Sequence, residues 1–426
     1  MESPRDLLRR RHRLLGPNTP TFYREPVHIV RGRGEWLWDR DGNRYLDCYN
    51  NVPHVGHCHP RVVAAIAEQA ARLNTHTRYL HADILDYVER LTERFADPLA
   101  SAMLVCSGSE ANDVALRMAR ATTGRTGIIA TDNTYHGNTD LISQLGSRTT
   151  PIGGYAPWVR HVPSPMGTRT ADGEITADES SLFADFVQSA IGSLEEDGHG
   201  IAALIVCPYF ANEGFPSLEK GFLDETAARV RKAGGLVIAD EVQPGFGRLG
   251  SDFWGHQRLG FQPDIVTLGK PMANGHPVAG VVTSQEIMAE FRNAIPYFNT
   301  FGGNPVAVSA AAATLDVLDR EGLVPRAQET GRYALDRLRA IEASHGAIRA
   351  ARGAGLFLGA ELVDAQGAPD RVLAGLLPDA MKRNGVLLNV TGRHRNILKI
   401  RPPMSIDKSG IDILCDTLMR VLDELT

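Results

Sequence analysis

The chain has 426 residues, of which 43% are hydrophobic and 22% are charged, a balance typical of a globular protein rather than a disordered or fibrous one. Asp and Glu outnumber Lys and Arg by 50 to 45, so the formal charge of -5 gives no general attraction to nucleic acid or to an anionic membrane. No stretch approaches the roughly 18 uninterrupted apolar residues that a membrane span needs, so we expect a cytoplasmic protein that binds neither nucleic acid nor membrane.

Short apolar runs alternate with helical patterns through the middle of the chain, which is typical of parallel strands joined by helical crossovers. These runs lack polar alternation, as expected for strands that are covered on both faces. The predicted strands are 102–106, 126–131, 202–207, 235–240, 264–268 and 278–283. Their order predicts a large α/β domain.

The pattern changes after residue 305, where helices are predicted at 305–319, 326–343, 370–383 and 408–425 and strands at 355–363, 385–390 and 396–400. This mixture predicts a smaller α+β domain. We place an N-terminal segment of that domain at 1–60, the large domain at 61–310 and the C-terminal small domain at 311–426. The segment 151–178, rich in Pro, Gly and Thr, is predicted to be a long irregular loop, either functional or a variable surface excursion.

The segment Ser107-Gly108-Ser109 lies where a predicted strand ends and a helix begins. Small residues and free backbone amides at a helix N-terminus form a site for a phosphate group. The alternative interpretation is a simple helix cap, because Ser at a helix start followed by an acidic residue is common.

Two further predicted strands deliver a carboxylate and a lysine. Asp240 ends the strand 235–240, and an acid at that edge of the sheet would keep a pyridine nitrogen protonated. Lys270 follows the strand 264–268, and lysine is the amine that forms Schiff bases with carbonyl groups. A loop-capping Asp and a surface Lys are the alternatives, although the apolar surroundings of Lys270 have little surface character.

Five ordered motifs together identify a family. They are S-G-S-E-A-N-D (107–113), T-Y-H-G (134–137), A-D-E-V-Q-P-G-F-G-R (239–248), T-L-G-K-P (267–271) and N-T-F-G-G-N-P (299–305). In order and spacing they resemble the motifs of class III aminotransferases. The resemblance spans nearly the whole chain and implies pyridoxal 5'-phosphate as cofactor. It also implies fold type I, in which a large domain with a mostly parallel seven-stranded sheet is joined to a smaller α+β domain.

Carried over to the matching positions, the resemblance makes Lys270 the residue that forms the Schiff base and shuttles the proton. Asp240 becomes the partner of the pyridine nitrogen. Gln243 would donate a hydrogen bond to the phenol oxygen of the cofactor.

The same resemblance assigns the remaining cofactor contacts. Gly108 and Ser109 would hold the phosphate with their backbone amides, and Tyr135 would stack on the ring. His136 would touch the cofactor or the substrate, or act as a structural hydrogen-bonding residue. Thr300 would reach the phosphate of the neighbouring subunit, which implies a homodimer with shared active sites, or a tetramer of two such dimers.

No metal site is predicted. His54, His57 and His59 resemble a metal cluster by count, but the family uses this stretch as a structural turn near the substrate entrance. The five cysteines are scattered without paired spacing, which predicts neither a disulfide framework nor a zinc site.

Around the substrate tail, residues 50–60 and 392–404 resemble the branch that contains the ethanolamine-phosphate and phosphohydroxylysine phospho-lyases. Lys399 occupies a position where carboxylate-binding relatives commonly have Arg, and Arg401 stands directly before a Pro-Pro pair. Two cations suit a phosphate or carboxylate tail, unless they lie on a solvated edge strand. The predicted substrate residues are Phe22, Tyr23, Asn50, Asn51, Lys399 and Arg401.

Two departures from the family pattern bear on the reaction. Cys207-Pro208-Tyr209-Phe210 stands where many members carry E-P-x-Q, and 144–151 lacks the S-P-Y-K segment of human-type phospho-lyases. We therefore predict an aminotransferase that moves an amino group from a primary amine or amino acid to a 2-oxo acid. The alternative is a phospho-lyase that eliminates phosphate and ammonia from O-phosphoethanolamine or a similar phosphorylated amine. A catalytically inactive binding protein is disfavoured because Lys270, Asp240 and Gln243 are all present.

Overall fold

A computed structural model of the protein describes residues 4–17, 19–166 and 178–426. Residues 167–177 of the predicted irregular loop therefore lie outside the described residues. The N-terminal elements are α1 (Pro4–Leu15), β1 (Ile29–Arg33), β2 (Trp36–Asp39), β3 (Arg44–Asp47), α2 (Pro60–Arg72) and α3 (Ala82–Thr92). Within the described part of the chain, no helix is both long and apolar enough to cross a membrane.

The middle of the chain alternates strands with helices, as predicted. Its elements are β4 (Ser101–Val105), α4 (Gly108–Thr123), β5 (Gly127–Thr131), α5 (Asp140–Ser143), β6 (Val159–Val162), α6 (Asp178–Glu196), β7 (Ile201–Val206), α7 (Asp224–Lys232), β8 (Leu236–Asp240), α8 (Gly255–Leu259), β9 (Ile265–Leu268), β10 (Ala279–Thr283) and α9 (Gln285–Ala294). The seven strands form one sheet in the order β4-β10-β9-β8-β7-β5-β6. Only β10 runs antiparallel to its neighbours, so the predicted mostly parallel seven-stranded sheet is confirmed.

The C-terminal elements follow two long helices. They are α10 (Pro305–Arg320), α11 (Leu323–Ser344), β11 (Ile348–Ala354), β12 (Phe357–Leu362), α12 (Arg371–Arg383), β13 (Val386–Leu387), β14 (Asn389–Thr391), β15 (Ile397–Ile400) and α13 (Lys408–Leu425). Strands β11, β12, β15 and β14 form an antiparallel sheet in that order. Strand β13 instead lies parallel to β3 in a four-stranded sheet with β1 and β2, which joins the two ends of the chain. The exact domain boundaries stay predictions.

Three features differ from the predicted elements. Strand β6 lies inside the segment predicted to be irregular. It was not predicted because its four residues include Arg160 and His161 and carry no long apolar run. Strand β11 was not predicted, since it contains two arginines and ends in a Gly-rich turn. The single strand predicted at 385–390 is wrong: the chain changes sheets at Leu388, so that β13 pairs with β3 and β14 with β15.

The carboxyl ends of the parallel strands meet at one edge of the sheet, where α/β proteins bind their ligands. Strand β7 has all six residues buried, and β8 ends at the buried Asp240. Lys270 follows the end of β9 by two residues, and Ser107 follows the end of β4 by two residues. The sheet therefore brings the separately predicted motifs to the same edge.

Candidate active site

The carboxylate of Asp240 is buried in a closed network of hydrogen bonds. Its Oδ2 atom lies 2.6 Å from His136 Nδ1 and accepts from Asn112 Nδ2 at 3.0 Å, while Oδ1 accepts from the Val242 amide at 3.0 Å. His136 Nε2 lies 3.1 Å from Thr134 Oγ1. These contacts fix one orientation of the Asp240 carboxylate at the end of β8.

Asn112 connects three of the predicted motifs, although it was not among the predicted site residues. Its amide donates to His136 O at 2.6 Å as well as to Asp240, and its carbonyl accepts from Thr267 Oγ1 at 2.6 Å. Asn112 lies on the buried face of α4, and Thr267 lies on β9 just before Lys270. The start of α4, strand β8 and strand β9 are therefore held together by polar side chains.

Lys270 stands where its amine is accessible within the cleft. The surrounding protein withdraws water from the ammonium group, and this desolvation lowers the pKa of Lys270 from its usual value. Asp240 acts in the opposite direction, and Arg401 adds to the lowering. The neutral amine is thereby favoured, which is the form that attacks a carbonyl carbon and accepts a proton.

The N-terminus of α4 offers backbone donors. Ser107 caps the helix by accepting from the Glu110 amide at 3.2 Å. The first-turn amides of Gly108 and Ser109 have no acceptor within the helix and carry the positive end of its dipole. Gly137 packs against this turn so closely that a Cβ atom there would lie 2.5 Å from Ser109 Oγ. The helix cap and the phosphate site, two alternatives in the sequence, are thus compatible: the side chain of Ser107 caps while the next amides stay available.

Gln243 accepts hydrogen bonds from two cationic side chains. Its Oε1 atom accepts from Arg401 Nη1 at 2.7 Å and from Lys399 Nζ at 3.1 Å. Because Lys and Arg can only donate, the oxygen must face them, and Nε2 is the end of the amide left to donate elsewhere. The predicted bond from Gln243 to a cofactor oxygen requires this orientation.

Lys399 and Arg401 are buried, so they do not lie on the solvated edge that was the alternative interpretation. Neither forms an ion pair among the described residues, and the Nε atom of Arg401 has no hydrogen-bond partner. Burial lowers the pKa of Arg401 to about 10, and it lowers the pKa of Lys399 further, helped by the charge of Arg401. Burial therefore disfavours the charged forms of both side chains, and a bound anion would favour them.

Aromatic rings close one side of this pair. Arg401 lies over the ring of Tyr49, 5.0 Å from its centroid, and Phe22 packs edge-on against the same ring at 5.2 Å. Lys399 lies 5.8 Å from the centroid of Phe357. Tyr49 and Phe357 were not among the predicted substrate residues, because nothing in the sequence links them to a cation more than 40 residues away.

The other predicted substrate residues occupy different positions. Tyr23 donates its hydroxyl to Leu388 O at 3.3 Å, so this group is already engaged. Asn50 is exposed, and its backbone amide donates to Asp47. Asn51 is buried, and its Nδ2 atom has no partner. Of these three, Asn51 alone has a buried donor free to bind a ligand.

Tyr135 and Thr300 are exposed, and Tyr135 retains 51% of its surface. Thr300 follows Asn299, whose amide is anchored to Glu110 in the first turn of α4. Their predicted contacts with the cofactor, from the same subunit for Tyr135 and from a neighbour for Thr300, remain predictions.

The three histidines of the N-terminal turn point to different partners. His54 lies 2.8 Å from Phe246 O, His57 lies 2.7 Å from Asp47, and His59 lies 3.1 Å from Glu321. In the residues that the structure describes, no group of three or more His, Cys, Asp or Glu side chains is arranged to hold a metal ion.

The aminotransferase class-III family model matches residues 20–422. The chain belongs to this family. It is 38% identical over 421 residues to an alanine–glyoxylate aminotransferase 2-like protein of Drosophila melanogaster, covering 96% of this chain and 85% of the relative. It is also 38% identical to the ethanolamine-phosphate phospho-lyase homolog 1 of Caenorhabditis elegans, covering 96% of this chain and 92% of the relative.

Among solved structures, the chain is similar to a phospholyase from Arthrobacter in complex with phosphoethanolamine. The two are 42% identical, with a TM-score of 0.95 over 99% of this chain and all of the other. Members of the family depend on pyridoxal 5'-phosphate, so this chain is a pyridoxal-phosphate enzyme with an aminotransferase or phospho-lyase activity.

The residues present fit this cofactor. A buried carboxylate suits a protonated ring nitrogen, a helix N-terminus suits the phosphate, and an accessible amine of lowered pKa suits the aldehyde carbon. The free Nε2 of Gln243 suits the phenol oxygen. When bound, the cofactor withdraws electrons from the substrate carbon that bears the amine.

Proposed function

We propose that the protein is a phospho-lyase that eliminates phosphate from a phosphorylated amino alcohol, with O-phosphoethanolamine as the representative substrate. The observation that carries the proposal is the pair of buried cations, Lys399 and Arg401, which have no acidic partner among the described residues. The similarity to a phospholyase in complex with phosphoethanolamine supports it. The proposal reverses the order in which the sequence placed the two reactions.

The residues divide the reaction between them. Lys270 removes the proton from the carbon that bears the amine, and desolvation, which lowers the pKa of Lys270, favours the neutral amine that this step needs. The electron pair of that C–H bond forms a C=C bond, and the C–O bond to phosphate breaks with its electrons on the leaving oxygen. Lys399 and Arg401 stabilise the charge that develops on the phosphate. Hydrolysis of the resulting enamine consumes one water and gives an aldehyde and ammonia.

A transaminase would use the same lysine differently. In that reaction Lys270 would move the proton without loss of a leaving group, and the second substrate would be an oxo acid, so a monoanionic carboxylate would have to serve as the partner of Lys399 and Arg401. The named aminotransferase relative at 38% identity keeps this reaction as the competing outcome.

The deciding experiment supplies the cofactor-loaded enzyme with two substrates in separate assays. With O-phosphoethanolamine, we expect equal amounts of inorganic phosphate and ammonia. With an amine and pyruvate, we expect no alanine. Alanine formation without phosphate release would instead establish transamination.

Variants of the cations should act mainly on substrate binding. Lys399→Met and Arg401→Met each remove a charged hydrogen-bond donor, so KM for O-phosphoethanolamine should rise by about 10- to 100-fold. Lys408→Met is the matched control, since Lys408 is exposed and forms an ion pair with Glu329 at 2.6 Å. Unchanged KM in both cation variants would contradict the proposal.

We further propose that the enzyme is a homodimer with shared active sites. Large apolar side chains remain exposed, including Phe301, next to Thr300, at 70% of its surface and Leu80 at 101%. If these side chains form one contiguous patch, that patch suits a surface that another protein covers. Analytical ultracentrifugation should give a dimer of twice 46.3 kDa, and Phe301→Asp should shift the protein toward monomer. A wild-type monomer at micromolar concentration would disprove it.

A further inference from the structure

Asn212 holds two cations that approach from distant parts of the chain. Its side-chain Oδ1 accepts from Lys399 Nζ at 3.2 Å, while its backbone carbonyl accepts from Arg148 Nη2. The same carbonyl accepts from the Gly392 amide at 3.2 Å and from Thr391 Oγ1 at 3.3 Å. The exposed Arg148 is thus anchored on the residue that also accepts a hydrogen bond from Lys399.

We propose that Arg148 is the third cation of the anion subsite formed by Lys399 and Arg401, and that it selects a dianionic phosphate tail over a singly charged carboxylate. The inference rests on the proposed function and names a residue that determines its specificity. No sequence motif includes Arg148, which lies in the segment between the T-Y-H-G motif and β6.

The charges around Arg148 support this assignment. Its positive charge contributes to lowering the pKa of Lys399, so the two groups lie within electrostatic reach. Desolvation lowers the pKa of Arg148 itself, and the nearby Arg395 lowers it further. Cations placed this close repel one another, and a bound anion relieves the repulsion.

The nearest acid does not neutralise Arg148. Glu213 accepts from Thr131 Oγ1 at 2.9 Å and from the Asn212 amide at 3.0 Å, and it forms no ion pair with Arg148 in the described structure. Burial raises the pKa of Glu213, although the charge of Glu213 still raises the pKa of Arg148. The hydrogen bonds of Glu213 come from neutral donors, so the Arg148 guanidinium has no ion-pair partner in the described structure.

Cys207 adds no negative charge beside the cations. It directly follows β7, the strand that pairs with the strand of Asp240. Burial raises the pKa of the Cys207 thiol, so that it stays neutral. Three cations therefore face the site with two neutral amides, Asn212 and Gln243, as their acceptors. A single carboxylate would leave two positive charges uncompensated, whereas a phosphate dianion would leave one and can accept bidentate bonds from Arg.

The test measures anion binding to the cofactor-loaded enzyme, in which the cofactor's own phosphate occupies its separate site. Isothermal titration with inorganic phosphate and with acetate should show tighter binding of phosphate by the wild type. Arg148→Gln should weaken phosphate binding by about 10- to 30-fold while changing acetate binding less than about threefold. Arg148→Lys keeps the charge and should restore most of the phosphate affinity. Arg258→Gln is the control, because Arg258 is exposed and its guanidinium contacts Ser251 at 3.1 Å.

Kinetics separate this inference from the proposed function. In Arg148→Gln, KM for O-phosphoethanolamine should rise about tenfold while kcat changes little. Equal phosphate affinity in Arg148→Gln and wild type, or an equal loss for both anions, would overturn the role of Arg148. Suppose that the wild type released no phosphate from O-phosphoethanolamine while Arg148→Gln still bound phosphate selectively more weakly. In that case the anion subsite would stand and the phospho-lyase proposal would fail. If the wild type released phosphate from O-phosphoethanolamine but its anion affinity did not depend on Arg148, the phospho-lyase proposal would stand and the role of Arg148 would fail.

Discussion

Lys270→Ala should lose both the yellow absorbance of the bound cofactor and nearly all phosphate release. Lys270 is the predicted nucleophile and proton carrier beyond the end of β9, and desolvation lowers its pKa, which favours the neutral amine. Loss of the general base alone costs about 10²- to 10⁴-fold, so we expect a fall in kcat of at least about 10²-fold.

The spectrum and the rate should be measured on the same preparation. Lys232→Ala, at an exposed site in the last turn of α7, is the matched control and should retain both properties. Addition of a small primary amine should restore part of the rate of Lys270→Ala if the missing function is proton transfer. A variant that kept the absorbance band would refute the assignment of Lys270.

Asp240→Asn should fold normally and bind cofactor, yet turn over roughly 10²- to 10³-fold more slowly, a loss of about 3–4 kcal/mol in transition-state stabilisation. An amide cannot hold a ring nitrogen in its protonated form as a carboxylate does, so electron withdrawal weakens. The side chain keeps its size, and its oxygen can still accept from the Val242 amide at 3.0 Å.

The measurement compares kcat with the thermal midpoint of unfolding. Asp252→Asn, whose side chain accepts from Ser251 at 2.6 Å, controls for the chemical change and should leave kcat unaltered. A large drop in the thermal midpoint of Asp240→Asn with a proportionate loss of folded enzyme would show that Asp240 serves the fold rather than the chemistry.

The sequence predicted the sheet and its functional edge because both depend on local pattern. Strands such as β7 are uniformly apolar, Asp240 ends the apolar run of β8, and Lys270 lies two residues beyond the run of β9. Strand β6 escaped prediction because an edge strand of four residues with two cationic or polar positions carries almost no local signal. The change of sheet at Leu388 was not predicted for a different reason. Which distant strand a segment pairs with cannot be inferred from the sequence of that segment alone.

The proposed anion subsite likewise combines residues that the local sequence indicated with contacts that only the fold reveals. Lys399 and Arg401 were identified beside a recognisable Pro-Pro pair, but their burial and their shared acceptor Gln243 depend on a contact across 156 residues or more. Arg148 and Asn212 belong to no motif and become visible only through their contacts. Asn112 could have been suspected from its place in S-G-S-E-A-N-D, where a buried amide one turn into a helix has to find polar partners.

The hydrogen bonds from Lys399 and Arg401 to the Gln243 oxygen also have a consequence after turnover. If the enzyme is the phospho-lyase proposed above, a subsite that stabilises the departing phosphate also binds the free ion, so accumulating phosphate should inhibit turnover by competing with the substrate. While phosphate occupied the subsite, it would compete with Gln243 for the same two donors and would thereby disturb the amide that is predicted to face the cofactor oxygen.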